Sequence, residues 1–174
     1  WEAGEQIFED ADPYLLVGMN PIISPCHGPL GQNPGRKIKD ARARGMQLIV
    51  IDPRRTETAK QAALHLAVRP GEDPALLAAM VNVVIEEQLY DDAFLAEHAE
   101  GLAALAAAVR PFTPEYASER CGVPAEDIVR AARIFAGARR GCAIAGTGAN
   151  FSGGGTVAEY LCLCLNTLCG RWAR

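Results

Sequence analysis

Asp52, Arg54 and Arg55 stand close together in the run 46–59, MQLIVIDPRRTETA, and their order suits a ligand with two kinds of polar group. A carboxylate accepts from hydroxyl or ring N–H donors, whereas a guanidinium meets phosphate oxygens with paired N–H groups. A second acidic group, Asp73, closes the segment 69–73, RPGED, just after Gly71. Two further turns offer little but backbone: Gly18-Met19-Asn20-Pro21, and Gly146-Thr147-Gly148-Ala149-Asn150 with Gly153-Gly154-Gly155 behind it. Peptide N–H groups without side chains around them can approach an anion closely. The plain structural alternative for Asp52 is a carboxylate that caps Thr56 or pairs with its own arginines.

These turns share one setting. Residues 47–51 are a short apolar run rich in β-branched side chains, bounded by Gly45 and Pro53, as expected of a parallel strand buried on both faces. Tyr14–Val17 and residues 64–68 read the same way, and Cys142–Ala145 is a strand of small residues. Each runs directly into one of the turns. Strand–helix repetition with right-handed crossovers brings such turns to one edge of a sheet, and ligands of open α/β sheets bind beyond the carboxyl ends of the strands. The expected fold class is therefore α/β, a Rossmann-like three-layer domain. It has a mainly parallel sheet of about four or five strands, a helix-rich second half and one domain over residues 1–174.

Helices are expected over residues 2–10, 36–44, 56–62, 74–87, 91–98, 102–109, 114–120, 124–137 and 156–168. The long loop 22–35 leaves the carboxyl end of the first strand, a position that favours function. In the helix over 36–44, Ile38 and Ala41 face inward, while Arg36, Lys37, Lys39, Arg42 and Arg44 outweigh Asp40 and form a solvated face. Over the whole chain the net charge is −4, which gives no electrostatic reason to expect nucleic acid. No apolar run approaches the length of a membrane span.

Several familiar chemistries are absent from the pattern. Gly18-Met19-Asn20 breaks the dinucleotide fingerprint GxGxxG, and Gly146-x-Gly148 is followed by Phe151 where its third glycine belongs. There is no P-loop and no nucleophile elbow. His27, His65 and His98 lack metal spacing, and His65 reads as a structural histidine. Of six cysteines, Cys121, Cys142, Cys162, Cys164 and Cys169 read as small buried hydrophobes. Cys26 lies in a loop beside His27. No catalytic base, nucleophile or metal set emerges: the segment binds something rather than performing chemistry alone.

Taken in linear order, GMNP, ARARGMQLIVIDPRRTETA, HLAVRPGED, ALLAAMVNVVIEEQLYD, a TPE–GVPAEDI–AR–FA stretch and GTGAN resemble the large subunits of prokaryotic molybdopterin oxidoreductases. That family includes formate dehydrogenases, nitrate reductases and relatives of dimethyl-sulfoxide reductase. The resemblance covers essentially the whole chain. It implies an α/β domain that binds the guanine dinucleotide half of a bis-molybdopterin guanine dinucleotide cofactor. Carried over residue by residue, it places Gly18 and Asn20 in the loop at the cofactor. Asp52 would accept from ribose hydroxyls, with Pro53 in the same turn and Arg54 near phosphate. Asp73 would take the guanine edge, with Gly71 allowing close approach. Gly146, Thr147 and Gly148 fall in a backbone-rich turn beside the cofactor.

The family's N-terminal iron–sulfur cysteine motif and its protein ligand to molybdenum have no counterpart here, so both are expected upstream of residue 1 in a longer parent chain. The expected partners are the remaining domains of that chain and an electron-transfer subunit, without nucleic acid and without membrane insertion by this segment. A cytoplasmic location is the expectation, with the periplasm left open. Two other readings stand beside this one. One is a nucleotide- or NAD(P)-binding Rossmann-type enzyme domain; the other is a non-catalytic relative such as the corresponding domain of the respiratory complex I large subunit.

Overall fold

The computed structural model describes residues 12–25, 33–138 and 140–172. The helix expected over 2–10, Cys26, His27, Arg139 and the stretch 26–32 of the loop 22–35 lie outside them. Strands β1 (Tyr14–Val17), β2 (Leu48–Ile51), β3 (Leu64–Leu66) and β4 (Cys142–Ala145) form one sheet in the order β3-β2-β1-β4. Every pairing is parallel. The unbroken apolar run of β1 and β2 now has its physical reason, since all eight residues are buried between two layers.

Alternation along the strands sorts the side chains into two cores. Tyr14, Leu16, Leu48, Val50 and Cys142 face one way, where Ile38 and Ala41 of helix α1 (Pro34–Ala43) cover them with Met46. Leu15, Val17, Ile49, Ile51 and Ala143 face the other way, into the larger core shared with the helices of the second half. Helix α1 begins two residues earlier than periodicity indicates, because Asn33 Oδ1 accepts from Arg36 N at 3.3 Å and Pro34 sits in the first turn.

Between β3 and β4 come α2 (Asp73–Glu86), α3 (Asp92–His98), α4 (Leu102–Val109), α5 (Pro114–Cys121) and α6 (Ala125–Gly137). After β4 come the short α7 (Thr147–Asn150) and α8 (Gly155–Leu168). Helix α2 is buried around its circumference, packed by α5, α6 and α8. An all-round apolar helix requires exactly such enclosure.

Three expectations shift. Residues 56–62 form no α-helix but a turn with a 3-10 segment at Ala59–Gln61, where Thr56 Oγ1 accepts from Ala59 N at 3.1 Å. Strand β3 stops at Leu66 rather than residue 68, because Val68 N folds back to Leu66 O at 3.0 Å and Arg69 N leaves the ladder for Cys121 O at 2.8 Å. The glycine-rich turn after β4 is partly helical. At the edge of the sheet, Asn166 of α8 imitates a neighbouring strand. Its Oδ1 accepts from Ala143 N and its Nδ2 donates to Ala143 O, both at 2.8 Å.

Candidate functional site

Register brings the four turns together. Val17 lies opposite both Ile51 and Ala145, and Ile51 opposite Leu66, so all four strands finish in one row. The ladder extends one residue further: Gly18 N donates to Ile51 O at 2.8 Å, Asp52 N to Leu66 O at 3.2 Å and Gly146 N to Val17 O at 2.8 Å. Gly18, Asp52 and Gly146 are thus the first residues past the carboxyl ends of their strands. The residues of this rim divide into an acidic half and a glycine seam.

The acidic half holds Asp52 and Asp73, only 7% and 5% exposed. Asp52 Oδ1 accepts from Arg54 N at 2.8 Å, which leaves Thr56 uncapped by it. His65 Nε2 meets the Asp52 carbonyl at 2.9 Å, the structural role expected of that histidine. Pro53 and Arg54 point their surfaces to solvent. Asp73 opens α2 immediately before Pro74. Burial pushes its carboxyl above the usual value, its own backbone N–H opposes this, and the charge of Asp52 adds to the rise. Asp52 is therefore near enough along the rim for its charge to reach Asp73. Among the described residues, no lysine or arginine forms an ion pair with either. Gly71 turns the chain ahead of Asp73 at φ +89° with open space on its Cβ side, so backbone conformation is its requirement.

The glycine seam is closed. A Cβ on Gly18 (φ +59°) would fall 2.4 Å from Ala149 N, and one on Gly148 would fall 2.8 Å from Gly18 O. One on Gly146 would lie 2.8 Å from Met19 Cβ. Gly148 N donates to Gly18 O at 2.9 Å, and Gly146 N is engaged by β1. These two amides face inward and are not free for an anion, which corrects the reading of this turn as an open phosphate cradle. Thr147 and the outer side of Gly148 remain exposed.

Asn20 works as a staple. Its Oδ1 accepts from Thr58 Oγ1 at 2.7 Å and from Thr58 N at 3.3 Å, and its Nδ2 donates to Glu57 Oε2 at 3.1 Å. The turn after β1 is thereby tied to the segment after β2. Thr58, fully buried, went unnoticed in the sequence because only its distant partner explains it. Among the described residues no cluster of His, Cys, Asp and Glu is arranged to hold a metal ion. None of their helices is long and apolar enough to cross a membrane.

A family profile described as molybdopterin oxidoreductase matches residues 3–170. The chain belongs to the molybdopterin oxidoreductase family. Within that family it is 39% identical over 157 residues to the F420-dependent formate dehydrogenase subunit alpha of Methanocaldococcus jannaschii, covering 88% of this chain and 22% of the relative. It is 38% identical over 140 residues to formate dehydrogenase H of Escherichia coli, covering 80% of this chain and 19% of that protein. Among solved structures, the acetylene hydratase from Pelobacter acetylenicus superposes with a TM-score of 0.85 at 30% identity, covering 95% of this chain and 22% of that one. The chain spans about a fifth of the length of these relatives.

Proposed function

We propose that this chain holds the guanine dinucleotide part of a bis-molybdopterin guanine dinucleotide cofactor in a longer, formate dehydrogenase-like oxidoreductase. The observation that carries the reading is the pair of buried carboxylates, Asp52 and Asp73, on one strand-end rim without cationic partners among the described residues. Buried charge of one sign is costly unless something completes it. A guanine edge and ribose hydroxyls offer N–H and O–H donors, which suit carboxylate acceptors, whereas a phosphate, itself an anionic acceptor, does not. Asp73 would take the ring N–H and amino group, and Asp52 the ribose. Exposed Arg54 would stand toward phosphate, with Pro53 fixing its turn. Gly71 lets the backbone pass close to the base. Gly18, Gly146 and Gly148 set the neighbouring surface through their mutual contact, Thr147 presents its side chain there, and Asn20 fixes the loop between.

When bound, the group supplies redox chemistry at molybdenum, and the organic and metal reactivity belongs to it. This chain's residues bind and orient the nucleotide tail. The remaining domains of the parent chain, an electron-transfer subunit and a cytoplasmic location belong to the same proposal.

The test uses the full-length protein. Asp52→Ala and Asp73→Ala lower molybdenum content and the guanine nucleotide released on denaturation. Full occupancy in both purified variants would refute the assignment.

A further inference from the structure

The turn that delivers Asp73 is gripped from two directions by one helix end. Arg69 Nη1 donates to the carbonyls of Glu119 at 2.8 Å and Arg120 at 2.9 Å, and Arg69 N donates to Cys121 O at 2.8 Å. These are carbonyls of the last turn of α5, which have no partner inside their own helix and attract a cation. A Cβ on Gly122, just past that helix, would fall 3.3 Å from Arg69 Nε, so the side chain lies directly over the turn.

A second arm runs the opposite way. Arg120 Nη2 donates to Glu72 Oε1 at 3.1 Å and lies 2.9 Å from Glu72 Oε2. Glu72 N also bonds Arg69 O at 3.0 Å, closing the turn around Gly71, and Glu72 O accepts from Leu76 N at 3.2 Å to begin α2. Glu72, the residue before Asp73, is therefore tied directly to the α5 end.

We propose that the crossed contacts of Arg69 and Arg120 with the α5 end and Glu72 position Asp73 for two-point recognition of a guanine edge. Arg69, Glu72 and Arg120 are positioning residues of the nucleotide site. This rests on the reading of Asp73 as the guanine acceptor. Two parallel N–H···O bonds tolerate little misalignment, because strength falls steeply with angle. A carboxylate in the first helical turn inherits its aim from the turn that starts the helix. Partly exposed ion pairs add little stability by themselves. With side chains 44% and 27% exposed, Arg120 and Glu72 matter more for aim than for holding the fold together.

The experiment measures binding of GDP, IDP and ADP to the full-length protein stripped of its cofactor. IDP lacks the amino group and presents one donor where GDP presents two. Arg120→Ala, Glu72→Gln and Arg69→Lys weaken GDP by about tenfold, the worth of one misaligned hydrogen bond to a charged group, and erase the preference for GDP over IDP. Arg120→Lys recovers most of the loss. Arg133→Ala breaks the comparable pair with Glu87 (Nε–Oε2 2.8 Å) and changes neither quantity. Asp73→Asn separates the two levels of the argument. If it abolishes the preference while the three clamp variants keep it within about twofold, only the positioning role is overturned. If Asp73→Asn keeps the preference as well, both readings fall.

Discussion

The two halves of the rim use the same local device, a turn after a parallel strand, for opposite purposes. In the seam, Gly18, Gly146 and Gly148 bring two backbones into contact and their inner amides are taken. In the acidic half, nothing approaches the Cβ side of Gly71, and two carboxylates sit buried without a cation among the described residues. A glycine cluster at a strand end is thus no sign of an anion site by itself, because close packing demands the same residue. Buried carboxylates without an internal cation are the more informative signal.

The sharpest way to break this comparison is to add one methyl group to each half. Gly18→Ala combines a left-handed backbone with a backbone clash and costs roughly 3–5 kcal/mol, read as a large fall in Tm or loss of folded protein. Gly71→Ala meets only the left-handed conformation, at about 1–2 kcal/mol. Equal losses in chemical denaturation would erase the distinction between seam and acidic half.

The smallest effect has the reverse sign. Because Asp73 has a native value above its ordinary 3.8, its ionisation costs stability. The cost is absent below the unfolded value, grows as pH rises toward the native value and is complete above it. Asp73→Asn therefore raises the Tm of the cofactor-free protein at neutral pH and leaves it unchanged in strong acid. Under the proposed function the same variant loses cofactor, the exchange expected where function requires an unfavourable group. A fall in Tm at neutral pH would show that Asp73 holds the fold together.

Much of this was legible in the sequence for a local reason. The strand runs, the polar turns that end them, and Asp52 and Asp73 are recorded in consecutive residues, and parallel pairing then puts them in one row. What escaped depends on partners far along the chain. Asn20 answers to Thr58, Asn166 to Ala143 and Arg69 to the end of α5, and no short spacing announces these pairs. The short connection after β2 misled for a related reason. Its Thr-rich start favours a helix, but the chain must return to pair Ile49 with Leu64 and has room only for a 3-10 turn. The glycines misled because one residue type serves both contact and approach.

The central strand β1 completes its pairing only with β4, after six α-helices among the described residues have been made. On the ribosome, Asp52 and Asp73 emerge early, while the strand that fixes Gly18 emerges late. Closing so long a loop delays the last step of folding, and until then one side of β1 is an unprotected edge open to wrong pairing. The strand-end rim therefore matures only once β4 has emerged, and a guardian that shields the waiting edge has a defined interval in which to act.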